Sequence, residues 1–277
     1  MLNAVALGTF DGLHRGHLSV LSIPDGFDKT ALIFSLPPKQ VKTGDIHLLL
    51  TPEEKIKKFE ELGFRVETLN FDEVKHLSPE EFLQFIKKEL NPKLISCGFN
   101  YHFGFKGMGN SETLKKFCEE NGITLRLCDP VCEEGEPISS SRIRNHLKKG
   151  EIEKANLLLG YDFSFTAPVI KGDGRGKTLG FPTINQAYPQ ALAPLKFGVY
   201  LSEINIENKI YKGITNIGIR PTFPLNYIIS ETFIKDFSGD LYEKELKITL
   251  KEFIREEKKF SDPTELKNQV LKDIERI

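Results

Sequence analysis

The chain has 277 residues, of which 39% are hydrophobic and 28% are charged. This composition is typical of folded globular proteins and excludes a disordered or fibrous chain, and the length predicts about two domains. Lys and Arg total 38 while Asp and Glu total 39, so a net charge of −1 gives no electrostatic reason to expect a nucleic-acid or membrane partner. No apolar run approaches the ~18 residues of a membrane span, and none resembles a secretory leader.

The four cysteines, Cys97, Cys118, Cys128 and Cys132, are few for this length and have no paired spacing. They therefore predict a reducing, cytoplasmic location. Three residues separate Cys128 from Cys132, which leaves a zinc site as the weaker alternative. His146 is the only histidine that follows, so such a site would lack ligands.

The first half of the chain predicts alternating strands and helices. Apolar runs at residues 4–7, 30–35 and 93–97 have the length of short strands. Thr51 and Ser78 are each followed by Pro-Glu-Glu, a pattern that predicts a capped helix start. Strands separated by helices pair in parallel, so an α/β domain with a parallel sheet is expected here.

The second half predicts short strands in place of alternation. A predicted helix over 151–159 ends at Gly160, and a terminal helix starts at Asp262. Between them lie five short β-rich runs, at residues 163–170, 198–206, 209–214, 227–233 and 246–250. They indicate a small barrel or sandwich. The predicted domains are therefore 1–160 and 161–277.

The first chemical motif is GTFDGLHRGH, at residues 8–17 directly after the first predicted strand. A glycine-rich turn from strand to helix presents backbone N–H groups to a phosphate. His14 and His17 are three residues apart, so they share one side of a turn and can donate hydrogen bonds to a phosphate in a transition state. Two surface histidines on a polar turn are the alternative interpretation.

This motif resembles the nucleotidyltransferases with an HxGH signature, and in particular the FMN adenylyltransferase branch of bacterial bifunctional flavin-synthesis enzymes. The resemblance implies a Rossmann-like domain in which His14 and His17 are catalytic. The ATP-binding residues that it implies in this motif are Gly8, Phe10, Asp11, Gly12 and Gly16.

Two further segments are similar to the same branch. In ISSSRIR, at residues 138–144, the resemblance implies that Ser140 and Ser141 bind ATP and that Arg144 is catalytic, holding the triphosphate. In GFNYHFG, at residues 98–104, it implies that Asn100 and Phe103 bind flavin. The family usually has Asp at this position. Asn100 in its place still offers a hydrogen-bonding side chain but carries no charge.

The second chemical motif begins as KGDGRGKT, at residues 171–178, and superficially suggests a P-loop. Only three residues separate Gly172 from Gly176, where a P-loop has four, and Gly180 and Pro182 then interrupt the helix that a P-loop requires. A P-loop is therefore not predicted. The glycines suit a flexible flap over phosphates.

The following LGFPTIN, at residues 179–185, resembles the GFPTxN segment of riboflavin kinases. The resemblance implies a kinase barrel in which Thr183 and Asn185 hold Mg²⁺ on ATP, through the hard oxygen ligands that this ion prefers. It also implies that Gly174, Gly180, Pro182 and Thr183 bind ATP. Three later segments are similar to the same family: NIGIRPT at residues 216–222, SETFIKDF at 230–237 and FIREEKKF at 253–260. These similarities imply that Arg220 and Arg255 bind flavin and that Glu231 is the catalytic base.

Both resemblances together cover nearly the whole chain. They imply an enzyme that phosphorylates riboflavin in its C-terminal barrel and adenylylates the resulting FMN in its N-terminal domain, with ATP as co-substrate, Mg²⁺ as cofactor and no nucleic-acid or membrane partner. One alternative retains only the adenylyltransferase, with the barrel as a flavin-binding regulator. Another is a nucleotide sensor or a nucleic-acid-binding barrel, which the absence of a basic, aromatic-rich stripe disfavours. The oligomeric state is not encoded in any of these patterns.

Overall fold

The computed structural model describes residues 2–34, 46–172, 176, 180–219 and 228–277. Contacts between backbone positions divide the chain into two compact units, Met1–Ser140 and Ser141–Ile277. This division lies before the two helices that precede residue 160, where the sequence predicts the boundary. The boundary at 160 remains a prediction.

The first unit contains the parallel sheet that the alternating pattern predicts. Its five strands lie in the order β3-β2-β1-β4-β5, with every pair parallel. The strands are β1 (Leu2–Leu7), β2 (Phe27–Phe34), β3 (Arg65–Leu69), β4 (Pro92–Gly98) and β5 (Thr124–Cys128). Because β1 is central, the loop that follows it lies at the carboxyl edge of the sheet, where open α/β sheets bind ligands.

Among the described residues, the α-helices that accompany this sheet are α1 (Arg15–Leu21), α2 (Pro52–Glu61), α3 (Phe71–Val74), α4 (Pro79–Leu90) and α5 (Ser111–Glu120). The predicted caps are present, since Thr51 and Ser78 each accept the N–H three residues on and the glutamate there accepts the cap N–H. A two-stranded hairpin, β6 (Cys132–Glu133) with β7 (Glu136–Pro137), precedes the division.

One core of this unit lies between the sheet and α4 and α5. Val5 and Ile95 from the central strands pack in one cluster with Ile86 of α4 and Leu114 of α5. All four side chains are buried. Burial of this apolar face fixes the sheet and therefore the position of the loop after β1.

The second unit contains a closed antiparallel barrel of six strands, in the order β10-β11-β12-β9-β8-β13. The strands are β8 (Ser164–Ile170), β9 (Thr183–Ala187), β10 (Gly198–Ile206), β11 (Lys209–Ile219), β12 (Ile228–Ile234) and β13 (Glu245–Arg255). The helices are α6 (Ser140–Lys149), which starts at the division, α7 (Ile152–Leu159) and the terminal α8 (Pro263–Ile274). The fold class predicted from the sequence is confirmed. Of the two architectures that the short strands indicate, a barrel or a sandwich, the structure has the barrel.

Buried hydroxyl groups in this barrel form a small network. Thr215 donates to Ser202 across 2.8 Å, and its hydroxyl oxygen lies 2.9 Å from that of Thr232. All three side chains are buried and each has a partner, so the network satisfies its own hydrogen bonds. Because side chains alternate along a strand, Glu231, next to Thr232, lies on the opposite, outer face.

Two strands extend beyond the runs predicted from hydrophobicity. The strand β11 continues to Ile219 and β13 to Arg255, whereas the predicted runs end at residues 214 and 250. The added residues include polar ones such as Asn216 on β11. Main-chain hydrogen bonding to neighbouring strands continues where the apolar pattern ends, which periodicity alone does not reveal.

Candidate active sites

The loop after β1 has an unusual backbone. Phe10 and Leu13 have φ values of 48° and 39°, in the left-handed region that residues other than glycine seldom adopt. Gly12 also has positive φ, and a Cβ there would lie 2.7 Å from the Leu49 side chain. Strained loop residues of this kind concentrate at functional sites.

His14 and His17 form a stacked pair at the end of this loop. Their ring centroids are 3.6 Å apart with an interplanar angle of 18°. His14 is the N-cap residue of α1 and has an extended backbone, so the two histidines do not both lie within the helix. Phe10 packs edge-on against His17 at 5.4 Å.

Burial lowers the pKa of His17 well below its ordinary value, and the neighbouring His14 and the Lys55 ammonium lower it further. His17 is therefore neutral near pH 7. Its Nδ1 is buried and has neither a donor nor an acceptor partner among the described residues. We assign the single ring proton to Nε2, because a proton on Nδ1 would be buried without an acceptor.

Asp11 joins the loop to two distant segments. Its buried carboxylate accepts the Leu49 N–H at 3.0 Å, and its carbonyl oxygen accepts the Ser140 hydroxyl at 2.9 Å. Gly16 is also near the second segment, because a Cβ there would lie 3.3 Å from the Ile138 carbonyl oxygen. The structure thus brings Ser140 to the loop that the sequence predicts as its partner.

Arg144 lies on α6, and its Nη2 is 3.5 Å from the Ser141 hydroxyl oxygen. Both residues belong to the second unit. Their predicted roles in binding the nucleotide remain predictions.

An aromatic cavity of about 440 Å³ lies in the first unit. Phe103 lines it, and the Phe103 ring stacks on Tyr101 at 5.6 Å and 19°. The other lining residues are Phe34, Phe71, Val74, Lys75, His76, Phe82, Tyr101, His102, Gly104, Phe105, Lys106 and Gly107. Asn100 is exposed in the turn after β4 and is not part of this lining. A flat ring with a phosphate suits a cavity of aromatic walls and basic side chains.

A polar row crosses the outer wall of the barrel. Glu231 on β12 lies opposite Asn216 of β11 on one side and Asn185 of β9 on the other. Directly opposed residues have Cβ atoms about 5 Å apart, so the three side chains are neighbours. Thr183 precedes Asn185 by two residues and is on the same face, opposite Phe233. We call Thr183, Asn185, Asn216 and Glu231 the barrel row.

The barrel row fits a hard divalent cation. Asn185 is only 6% exposed, yet its side-chain oxygen has no hydrogen-bond partner among the described residues. An unsatisfied buried amide oxygen is costly unless a ligand completes it. A Cβ at Gly172 would lie 2.4 Å from the Asn185 side-chain nitrogen, so only glycine fits beside it. The Thr183 hydroxyl adds a second oxygen of the type that Mg²⁺ prefers.

The other residues predicted for the kinase site do not belong to the barrel row. Gly180 and Pro182 are exposed at the start of β9. Arg255 pairs with the buried Asp273 of α8, with its Nη2 at 2.6 Å and its Nε at 3.1 Å from the carboxylate. This bidentate pair connects the barrel to the terminal helix, while flavin binding by Arg255 remains a prediction. Gly174 and Arg220 lie outside the described residues.

Comparison with known proteins distinguishes the two units. A family model described as FAD synthetase matches residues 2–142, and one described as riboflavin kinase matches residues 159–277. The bifunctional riboflavin kinase/FMN adenylyltransferase of Bacillus subtilis is 34% identical, over 98% of this chain and 90% of that protein. This chain belongs to the bifunctional riboflavin kinase/FMN adenylyltransferase family. Its Listeria monocytogenes relative of the same name is 32% identical, over 97% of this chain and 89% of that protein.

Membership of this family confirms the two activities expected from the sequence, riboflavin phosphorylation and FMN adenylylation, in the expected order along the chain.

A crystal structure described as a macrolide-efflux protein from Streptococcus pneumoniae has a TM-score of 0.91 and 28% identity, and the match covers 99% of this chain and 93% of that one. Within the described ranges, this chain contains no helix long and apolar enough to cross a membrane.

The weaker alternatives gain nothing from the structure. In the part of the chain that is described, no group of three His, Cys, Asp or Glu side chains is placed to hold a metal ion. Burial raises the pKa of the Cys97 thiol to about 12, which makes this thiol unreactive.

Sequence reasoning did not select two residues of these sites. Asn216 belongs to the family-like segment NIGIRPT at residues 216–222, but its place beside Glu231 depends on strand register. Lys55 lies on α2, and its residue type does not predict burial, because a lysine on an amphipathic helix is normally exposed. One sequence signal indicates the burial of Lys55: it lies four residues before Phe59, and residues with that spacing share a face of a helix.

Proposed function

We propose that the stacked histidines after β1 promote transfer of AMP from ATP to FMN, and that the barrel row promotes phosphorylation of riboflavin. The observation that supports this assignment is that each unit holds a distinct group of polar side chains: the stacked rings of His14 and His17 in the first, and Glu231 opposite Asn185 in the second. Two activities on one chain require two such sites, because the attacking groups and the phosphorus atoms attacked are different.

In the first reaction, an FMN phosphate oxygen attacks the α-phosphorus of ATP and pyrophosphate leaves. Negative charge accumulates on the α-phosphate oxygens in the transition state. Neutral His17 donates its Nε2 proton as a hydrogen bond to this charge, and His14 assists from the stacked position. The aromatic cavity that includes Phe103 holds the flavin ring, and Arg144 holds the triphosphate.

The backbone of the loop binds ATP in this account. Gly8, Gly12 and Gly16 let the nucleotide approach closely, while Phe10 and Asp11 keep the loop in its strained shape. Ser140 belongs to the same site through its hydrogen bond to the Asp11 carbonyl oxygen, and the family resemblance assigns ATP binding to Ser141 as well.

In the second reaction, the terminal ribityl hydroxyl of riboflavin attacks the γ-phosphorus of ATP and ADP leaves. Glu231 accepts the hydroxyl proton as the new O–P bond forms. Thr183 and Asn185 hold Mg²⁺ with ATP, and this ion neutralises charge on the phosphates when bound. Gly180 and Pro182 border the phosphates, and Arg255 contributes to flavin binding.

Replacing Asn185 with Ala removes the buried amide oxygen and is expected to raise the Mg²⁺ concentration that riboflavin phosphorylation requires. We expect roughly a tenfold or larger increase, as for loss of one of few protein ligands to a metal. FMN adenylylation by the same protein should be unchanged. Titrating Mg²⁺ at fixed ATP and riboflavin, with FMN resolved by chromatography, measures this.

Asn205→Ala is the matched control, because Asn205 is an exposed asparagine on β10 of the same barrel. It should retain the wild-type Mg²⁺ dependence. If Asn185→Ala phosphorylates riboflavin with the same Mg²⁺ dependence as Asn205→Ala, Asn185 is not a metal ligand.

The substrates in this proposal are the small molecules riboflavin, FMN and ATP, and we place the enzyme in the reducing cytoplasm. The four cysteines are free thiols in the structure, consistent with that location. We also retain residue 160 as the functional boundary, since the riboflavin kinase match begins at residue 159.

A further inference from the structure

Among the described residues that line the aromatic cavity, Tyr101 alone carries a hydroxyl group. It is also the only tyrosine among residues 1–140. Its ring stacks on that of Phe103 at 5.6 Å and 19°, and the Phe103 ring lies 5.8 Å from that of Phe82. The backbone N–H of Tyr101 donates to the Gly98 carbonyl oxygen at 3.0 Å, which closes the turn after β4. Contacts of both the side chain and the backbone therefore hold this ring in place.

The hydroxyl of Tyr101 is not used by the fold. The part of the chain that is described provides no hydrogen-bond partner for it, although the side chain is half-buried. A buried tyrosine hydroxyl normally has such a partner, and a phenylalanine would fill the same space without one. Burial raises the pKa of this phenol, and the nearby Cys97 thiol raises it further, so the hydroxyl keeps its proton at neutral pH. Tyr101 therefore offers an unused hydrogen-bond donor to a ligand in the cavity.

The cavity lies beside the loop that holds the histidine pair. Its walls include Phe34 at the end of β2 and Tyr101 just after β4. These two strands flank β1, and their pairing with it continues to its last residue, Leu7. The loop after β1 therefore starts between the two segments that wall the cavity. A substrate can place its ring in the cavity and its phosphate end at the histidine pair.

The chemistry of the cavity indicates which end of a flavin Tyr101 contacts. The charged side chains among the described lining residues already have partners: Lys75 pairs with Asp72 at 2.6 Å, and Lys106 lies over the Phe105 ring, 5.2 Å from its centroid. A neutral hydroxyl donor suits a carbonyl oxygen. The isoalloxazine ring has its carbonyl oxygens at the pyrimidine end, whereas the opposite end is a dimethylated benzene ring.

We propose that Tyr101 determines the orientation and selectivity of flavin binding for adenylylation, by donating a hydrogen bond from its hydroxyl to a carbonyl oxygen of the flavin pyrimidine ring. This inference rests on the proposed function, which places the flavin ring in this cavity. The hydrogen bond directs the pyrimidine end to Tyr101 and leaves the dimethylbenzene end to the phenylalanine walls, where apolar surface is buried. A flat aromatic ring without the carbonyl groups lacks this contact and binds less tightly.

Tyr101→Phe tests the proposal because it removes the hydroxyl and keeps the ring that stacks on Phe103. We expect the KM for FMN in adenylylation to rise roughly three- to tenfold, as for loss of one neutral hydrogen bond, with little change in kcat. Riboflavin phosphorylation by the same protein should be unchanged. Tyr242→Phe is the matched control, because Tyr242 is an exposed tyrosine of the second unit, and it should leave the kinetics of both reactions at the wild-type values.

Thio analogues of FMN locate the acceptor. Replacing the oxygen on C2 or on C4 of the flavin with sulfur leaves a weaker hydrogen-bond acceptor at that one position. The increase in KM caused by Tyr101→Phe should persist with FMN and with one analogue, and should disappear with the other. An equal increase with all three flavins would overturn the proposal, because the hydroxyl would then contact neither carbonyl group.

Phe103→Leu separates this inference from the proposed function on which it rests. Leucine keeps an apolar side chain at this buried position but removes the aromatic face, so a flavin ring in the cavity loses a contact and the KM for FMN should rise. An unchanged KM in folded Phe103→Leu would refute the placement of the flavin ring. A raised KM in Phe103→Leu together with a wild-type KM in Tyr101→Phe would refute only the hydrogen bond.

Discussion

Glu231→Gln is expected to stop conversion of riboflavin to FMN while leaving conversion of FMN to FAD at the wild-type rate. The amide is almost the same shape as the carboxylate but cannot accept the ribityl proton. A general base contributes roughly 10²- to 10⁴-fold to such a step, so a loss of that size is expected in kcat. The KM for riboflavin should change much less, because the substitution preserves shape.

Glu245→Gln is the matched control for this experiment. Glu245 is an exposed glutamate at the start of β13 in the same barrel, so the change should leave both reactions intact. Both steps are measured by supplying either riboflavin or FMN with MgATP and resolving the flavins by chromatography. Equal loss of both steps in folded Glu231→Gln would contradict the assignment of this residue to the kinase reaction alone.

Replacing both His14 and His17 with Ala should have the opposite effect, with FAD formation lost and riboflavin phosphorylation unchanged. Loss of a single donor to a developing phosphate charge costs about 10²- to 10³-fold, so the double variant should lose at least about 10³-fold. The stacked geometry of the two rings makes their contributions non-additive, and each single variant should account for most of the loss.

Riboflavin phosphorylation by the same molecules is the internal control for this double variant. It shows that the second unit is folded, and circular dichroism and the melting temperature report on the first. If folded His14→Ala, His17→Ala protein still forms FAD at a rate near wild type, the stacked pair is not the adenylylation site.

The sequence predicts those features of the fold that depend on local chemistry. The pattern of cap, proline and glutamates at Thr51 and Ser78 gives two helix starts that the structure reproduces with both reciprocal hydrogen bonds. Alternating strand and helix patterns predict the parallel sheet, and the glycine-rich string after β1 predicts where ligands bind. Each of these depends on residues that are close together in the chain.

Features that depend on pairing between distant segments could not be predicted from the sequence. The hydroxyl network of Ser202, Thr215 and Thr232 and the placement of Asn216 beside Glu231 both depend on strand register. A barrel and a sandwich have the same alternation within each strand, so only closure of the β13–β10 pair distinguishes them.

The site residues show the same division. His14, His17, Thr183, Asn185 and Glu231 were identifiable because they stand in motifs whose chemistry is specific. Lys55 was not, because a lysine on an amphipathic helix is normally exposed and the burial of Lys55 depends on how α2 packs. The net charge of −1 likewise says nothing about anion binding, which in this account depends on local groups such as the histidine pair and the barrel row.

The most direct test of the account is a time course of the purified wild-type chain with riboflavin and MgATP, with the flavins separated by chromatography. The account predicts that FMN appears first and FAD follows without addition of another enzyme, with one ATP converted to ADP and a second to pyrophosphate for each FAD formed. Absence of both FMN and FAD from folded protein, or formation of FMN that the same chain never converts to FAD, would contradict it.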